Sequence, residues 1–269
     1  MFSIKGVDIS NNNSISDLST LKDNGVEYVY LKATEGATFQ DSTSPTRYNQ
    51  AKELGMKVGF YHFLVKTSSP QAQAENFWNY VKDFNCDLKY CLDVEKDWNG
   101  MSNATIDFIN HWNEISGNKE LIIYTYSGFL SNFTQKAIEV IKDMPCWIAN
   151  YRSDYAGVNT GFFTNIVGWQ YSENDSIGAF TGDCNVFNDC CLLDASDKKY
   201  YVITDYLPHA YNGYDGVDIN YVLSYFSDVK CYVRGNAKGV WIETQYLSLD
   251  KCQELKQILG SWFYEIKEE

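Results

Sequence analysis

The sequence predicts an α/β fold: an N-terminal β/α barrel, TIM-like with irregularities, plus a small α+β unit of ferredoxin-like βαββαβ order. Three observations predict it. Short apolar runs recur at about 4–8, 27–32, 57–63, 90–94, 121–125, 146–150 and 166–171. Between them lie polar stretches with helical periodicity, such as Gln71 to Val81 and Ala104 to Trp112. After Phe187 the rhythm shortens and mixes. Strands that alternate with helices pair in parallel through helical crossovers. Seven such runs, with a short one at Asn185 to Phe187, close an eight-stranded barrel; an open doubly wound sheet is the alternative.

The elements follow from local chemistry. The first run ends on Asp8; Ser14 is suited to cap the next helix and Gly25 to stop it. Gly55 ends the helix before the run 57–63, which finishes on Tyr61-His62-Phe63. Ser69 caps and Pro70 opens the helix that reaches Val81, and Gly117 ends the one after the run 90–94. In a barrel, functional groups gather at the C-terminal ends of strands. Here those ends carry Asp8, Tyr61-His62, Asp93-Val94-Glu95 and Tyr124.

The run Tyr90-Cys91-Leu92-Asp93-Val94-Glu95 finishes with two carboxylates one position apart. On a strand, residues i and i+2 face the same side about 6–7 Å apart, so Asp93 and Glu95 would perturb each other's proton affinity. Such a pair suits glycosidic bond cleavage. One carboxyl protonates the leaving oxygen while another anion stabilises positive charge developing on the sugar. A solvated strand end can carry the same tripeptide, so the apolar approach and the aromatic setting give the pair its weight. Aromatic residues make up 16% of the chain, with 21 Tyr and 7 Trp, and aromatic faces meet the C–H surfaces of sugars.

At 269 residues and 45% hydrophobic content the chain can bury a large core and a small companion. A net charge of −13, from 22 Lys and Arg against 35 Asp and Glu, argues against nucleic acid or an anionic membrane as partner. No apolar run approaches membrane-spanning length, and the N-terminus Met1 to Asp8 lacks an export signal. The expectation is therefore folding in a cytoplasm, with reduced thiols at Cys86, Cys91, Cys146, Cys184, Cys190, Cys191, Cys231 and Cys252. His62, His111 and His209 lack metal-ligand spacing, and an EF-hand counted from Glu95 would place Ile106 where a bidentate Glu belongs. No metal or cofactor is expected. His62 reads equally as a structural imidazole, Lys32 as a counter-charge in the barrel mouth, and Asp8 as a turn former.

Eight strings in order resemble the successive signatures of glycoside hydrolase family 25, the lysozymes (N-acetylmuramidases) of phages and some bacteria. They are Gly6-Val7-Asp8-Ile9-Ser10, Leu31-Lys32-Ala33-Thr34-Glu35-Gly36, Gly59-Phe60-Tyr61-His62-Phe63, Leu92-Asp93-Val94-Glu95, Ile123-Tyr124-Thr125-Tyr126, Trp147-Ile148-Ala149-Asn150-Tyr151, Trp169-Gln170-Tyr171 and Gly182-Asp183-Cys184-Asn185-Val186-Phe187. The resemblance covers roughly residues 4 to 188. It implies Glu95 as general acid/base, Asp93 as its stabilising partner, and Asp8 and Asp183 as supporting carboxylates. Lys32, Tyr61, Tyr124, Tyr151 and Gln170 would face substrate. It further implies retention of configuration, with the substrate's own N-acetyl group as nucleophile. On charge crowding, Glu95 is expected to hold a proton near neutral pH while the Asp residues stay ionised. The substrate implied is peptidoglycan, cut at the β-1,4 bond after N-acetylmuramic acid. A non-catalytic wall-binding protein and a glycosidase for chitin are the alternatives.

Residues 1–188 are thus read as the catalytic domain, 189–199 as a linker containing Asp194-Ala195-Ser196-Asp197-Lys198-Lys199, and 200–269 as a second domain. In that domain Tyr200 to Thr204, Val229 to Val233, Gly239 to Thr244 and Trp262 to Ile266 read as strands. Val217 to Phe226 and Ser248 to Leu259 read as helices. The strings Asp215-Gly216-Val217-Asp218-Ile219-Asn220 and Tyr232-Val233-Arg234 resemble SPOR-like C-terminal modules of clostridial phage lysins. That resemblance implies a wall-binding domain on a modular endolysin, held inside the host until release and then acting at the cell wall. A cell-wall polymer would be its partner, with Tyr232, Arg234 and Trp241 as contacts. Self-association through this domain is the bland alternative.

Overall fold

In chain order the first unit contains β1 (Ile4–Ile9), α1 (Ser19–Asp23), β2 (Val26–Glu35), β3 (Phe39–Gln40), α2 (Ser44–Glu53), β4 (Lys57–Phe63), α3 (Pro70–Val81) and β5 (Tyr90–Asp93). It continues with α4 (Met101–Ser116), β6 (Leu121–Tyr126), α5 (Gln135–Ile141), β7 (Pro145–Ala149), β8 (Asn165–Ile177) and β9 (Phe180–Phe187). The computed structural model describes residues 2–193, 200–207, 216–227, 229–247 and 249–268. The chain divides into two compact units, Met1–Leu193 and Asp194–Glu269.

Strands β1, β2, β4, β5, β6, β7 and β8 are parallel neighbours, and β9 closes the ring by pairing with both β8 and β1. β3 is a short antiparallel addition at the end of β2. The expectation of parallel strands throughout fails at β9, which runs antiparallel to both of its neighbours. Only Gly178 and Ala179 separate β8 from β9, and a two-residue turn can join antiparallel strands alone. Gly178, at φ +60°, supplies the left-handed residue that turn requires.

Ser69 accepts a hydrogen bond from Ala72 N–H at 3.3 Å and Pro70 opens α3, as the sequence predicts. Ser14 does not cap α1: that helix starts five residues later behind Leu18, with no side-chain cap. The cause is Arg47 of α2, whose guanidinium donates to the carbonyls of Ser10, Asn13 and Ile15 and holds this stretch as a loop.

The core has two layers. One lies between barrel and helices and includes Phe77, Phe108 and Trp112. The other plugs the barrel interior with Tyr28, Tyr30, Ile122, Trp147, Val167 and Phe187. Ring centroids of Tyr30 and Trp147 lie 4.9 Å apart, and those of Trp147 and Phe187 5.3 Å. The Phe187 ring sits between Gly6 and Gly168, where an added Cβ on either glycine would overlap ring carbons.

The second unit contains β10 (Tyr200–Thr204), α6 (Ile219–Leu223), β11 (Cys231–Asn236), β12 (Gly239–Thr244), α7 (Leu249–Leu259) and β13 (Phe263–Glu268). Its strands form an antiparallel sheet in the order β11-β12-β10-β13. Val202 and Ile242 from the sheet pack with Val222, Phe226, Cys252, Leu255 and Leu259. α6 is shorter than the predicted helix 217–226, because Asp218 accepts from Tyr221 N–H at 3.0 Å and sets the start at residue 219. β11 lies later than predicted, since a two-residue connection to β12 fixes Asn236 opposite Gly239 and Cys231 opposite Thr244. The predicted linker 189–199 is corrected at its start: Asp189–Cys191 forms a 3₁₀ turn, and Lys89 N–H donates to Cys191 O while Leu193 N–H donates to Asp87 O, so 189–193 packs within the first unit. Residues 194–199, His209 and Asp215 lie outside the described residues.

A methyl group at Gly168 has no room beside Phe187 and Trp147. Gly168→Ala is expected to lower stability by about 1–3 kcal/mol, the usual cost of overpacking a filled interior. A urea denaturation midpoint that does not move would contradict this packing account.

Candidate active site

Strand periodicity builds the site on top of the plug. Side chains two residues apart share a face. Gly6 is followed in this way by Asp8, Tyr30 by Lys32, Gly59 by Tyr61, Cys91 by Asp93, Ile122 by Tyr124 and Gly168 by Gln170. The antiparallel β9 presents Phe187, Asn185 and Asp183 in the reverse order. Each of these seven strands thus contributes an apolar or small residue below and a polar one above; β7 instead presents Trp147 and Ala149.

The result is a cavity of about 350 Å³ at the C-terminal end of the parallel strands. All nine residues singled out in the sequence line it: Asp8, Asp93, Glu95, Asp183, Lys32, Tyr61, Tyr124, Tyr151 and Gln170. Sequence reasoning missed Ser10, Asn12, Phe63, Cys91, Trp147 and Glu173, which complete the lining. It also missed Asn185, whose Nδ2 donates to Asp8 Oδ1 at 2.7 Å. Counting by two along Trp147-Ile148-Ala149 and Asp183-Cys184-Asn185 would have found Trp147 and Asn185. A second groove of about 380 Å³ adjoins it, lined by Tyr126, Ser127, Gly128, Ala149 and Asn150. Glu95, Tyr124 and Tyr151 border both.

The hydrogen bonds converge on Asp8. Its Oδ1 accepts from Gln170 Nε2 at 3.0 Å as well as from Asn185. Tyr124 OH donates to Gln170 Oε1 at 2.8 Å, and Tyr151 OH does so at 3.3 Å. Lys32 Nζ contacts Glu35 Oε2 at 2.6 Å and lies 4.9 Å from the Phe63 ring centroid. His62 faces away from this set. It contacts Thr34 and Gln73, and burial pulls its pKa down to about 3, so it is a neutral structural imidazole.

Proton affinity is raised at all four carboxyls. For Asp93 the causes are burial, then the charges of Glu95 and Asp8, opposed by Lys32 and Lys96. Its Oδ1 is buried and takes no hydrogen bond from the protein. Burial also raises Glu95, against the pull of Lys96 and Lys32. Asp183 is pushed up to about 8 by burial and then by Asp8, Glu173 and Glu95. Asp8 is pushed up to about 6 by burial, moderated by its two amide donors. The expectation that Glu95 alone holds a proton while the Asp residues stay ionised is therefore corrected. The cavity that desolvates Glu95 desolvates its neighbours as well, and like charges this close cannot all ionise.

These raised values make stability fall with rising pH. The folded state retains protons that the unfolded chain loses near 3.8, so Asp8 and Asp183 weaken folding progressively as pH climbs past 4 and through 6 to 8. Asp183→Asn is expected to be nearly neutral at pH 3, where the carboxyl is protonated in the folded and the unfolded chain alike, and increasingly stabilising up to pH 8. Urea denaturation at the two values checks this; an equal change at both would contradict it.

Comparison with known proteins agrees with this geometry. The model of glycosyl hydrolases family 25 matches residues 7–180. The autolytic lysozyme of Clostridium acetobutylicum is 32% identical over 194 residues, 71% of this chain and 57% of that protein. The chain therefore spans little more than half the length of that relative. A muramidase from Acremonium alcalophilum superposes with a TM-score of 0.59 at 32% identity, over 69% of this chain and 94% of that one. The lysozyme from Streptomyces coelicolor gives a TM-score of 0.62 at 26% identity, over 71% and 96%. On the match across residues 7–180, this chain belongs to glycosyl hydrolases family 25.

Proposed function

We propose that the chain is a peptidoglycan hydrolase that cuts the β-1,4 bond between N-acetylmuramic acid and N-acetylglucosamine. The observation that carries this reading is the position of Glu95, bordering both the anionic cavity and the aromatic groove beside it. A glycan laid through the two spaces brings its linking oxygen to the one carboxyl common to both. Glu95, with its raised proton affinity, protonates that oxygen as the bond breaks.

Asp93 supports the reaction from below. Asp93 lines the cavity, and its carboxyl is the acceptor available there for a substrate N–H, such as that of an acetamido group. Held in this way, the acetamido carbonyl oxygen attacks the anomeric carbon while the glycosidic C–O bond breaks and the Glu95 proton passes to the departing oxygen. Water then attacks the same carbon, gives its proton to Glu95, and releases the acetamido group, so configuration is retained. Asp8, with two amide N–H groups at its Oδ1, places negative charge near the sugar ring, Asp183 stands beside it as a protonated acid near neutral pH, and Lys32, Tyr61, Tyr124, Tyr151 and Gln170 contact the sugar hydroxyls.

The second unit reads as a ferredoxin-like, SPOR-like module that attaches the enzyme to a wall polymer. Its antiparallel order β11-β12-β10-β13 supports that reading. Arg234 Nε and Trp241 Nε1 both donate to Glu243, and the Arg234 guanidinium lies 5.3 Å from the Tyr232 ring centroid, so the three expected contacts form one cluster. A phage endolysin released to the wall at lysis fits the two-module plan. Among the described residues no helix is long and apolar enough to cross a membrane.

Glu95→Gln keeps the shape of the site and removes the transferable proton, so turnover is expected to fall at least about a hundredfold with little change in stability. Mass spectrometry of digested walls reads the product; new reducing ends on muramic acid support the reading, and undiminished release by the variant contradicts it. Removal of residues 200–269 is expected to weaken sedimentation with intact walls while leaving hydrolysis of soluble muropeptides largely intact. Loss of that hydrolysis would make the second unit structural instead.

A further inference from the structure

An amide can point either its oxygen or its NH₂ at a carboxylate, and only the second arrangement stabilises the anion. At Asp8 both neighbouring amides point NH₂ inward, and each has its oxygen occupied by a donor. Gln170 Oε1 accepts from Tyr124 and Tyr151. Asn185 Oδ1 accepts from Trp147 Nε1–H at 2.9 Å. The two cases differ in strictness. A tyrosine hydroxyl can donate or accept, so it tolerates a turned glutamine. Indole N–H only donates, so Trp147 admits a single orientation of Asn185. Both residues are almost fully buried, at 2% and 1% exposure, so water cannot substitute for either partner.

We propose that Trp147 and Asn185 are positioning residues that keep Asp8 in its ionised form beside Glu95. The proposal rests on the reading of Glu95 and Asp8 given above. Trp147 is set by the barrel plug, against Tyr30, Phe187 and Tyr124. Plug packing thereby fixes the indole, the indole fixes the Asn185 amide, and the amide sets the charge of Asp8.

The other groups facing Asp8 favour its neutral form or carry no charge. Glu95 and Asp93 press from the end of β5, Asp183 from β9. Tyr61 on β4, Tyr124 on β6, Tyr151 after β7 and Cys91 on β5 hold their protons in the same space. The cation Lys32 acts on Asp93 and Glu95. Ionisation of Asp8 therefore depends chiefly on the two amide N–H groups at Oδ1, with a backbone N–H adding a smaller share. An ionised Asp8 in turn disfavours a second charge on Glu95 and so helps it keep its proton.

The test uses the full chain with Trp147→Phe, which keeps an aromatic ring in the plug and removes the donor, and Asn185→Ala, which removes the amide. Carbon-13 NMR of aspartate-labelled protein without substrate reads the titration of Asp8. Its midpoint is expected to rise by about one pH unit or more in both variants, and the acidic limb of kcat/KM to move with it. Activity at pH 5 then falls about tenfold further than at pH 8, the factor one pH unit carries. An unmoved Asp8 midpoint, with activity lowered equally at every pH, would overturn the proposal and leave both residues structural. Because the titration needs no substrate, it is read separately from the fate of Glu95→Gln.

Discussion

Four carboxyl groups share the inner face of one barrel mouth, and the rest of the site is arranged around the cost of keeping them there. Below them lie the buried rings of the aromatic plug, and around them the described cations are Lys32, already paired with Glu35, and Lys96. Charge at one group therefore raises the proton affinity of the next. A cluster of this kind weakens the fold near neutral pH, and burial of Phe77, Phe108, Trp112 and the plug rings offsets that loss. It also creates a store of protons of graded affinity, with Asp8 at about 6 and Asp183 at about 8. An active site for acid-assisted bond cleavage has use for such grading.

Much of this arrangement was legible in the sequence. Seven apolar runs became strands close to their expected bounds, because parallel barrel strands are buried on both faces and read as continuous hydrophobic stretches. Asp8, Asp93 and Tyr124 stand at strand ends where a barrel displays functional groups, and the nine expected site residues line one cavity. The direction of β9 was not legible from the rhythm of apolar runs. It is decided by the length of the turn at Gly178-Ala179, which composition patterns do not weigh.

Protonation was legible only in part. Sequence reasoning gave Glu95 a raised affinity and expected solvation or hydrogen bonds to keep the Asp residues ionised; Asp8 has such donors in Gln170 and Asn185, whereas desolvation prevails at Asp93 and Asp183. Burial of a side chain depends on what the other seven strands place around it, and no single strand carries that information. Asn185 and Trp147 were overlooked for a related reason. Neither is titratable in the relevant range, and their importance lies in which way a neutral amide points. In the second unit the element order was readable, while the bounds of α6 and β11 were set by Asp218 capping and by a tight connection to β12.

The central claim is that burial gives Glu95 a proton affinity above that of an ordinary glutamate, against the pull of Lys96 and Lys32. Carbon-13 NMR titration of glutamate-labelled full-length protein measures this directly, since the carboxyl shift of Glu95 reports its charge. A midpoint clearly above the ordinary 4.5 is the result expected. A midpoint at or below that value would mean that the group assigned to deliver the proton does not hold one, and the account would fail.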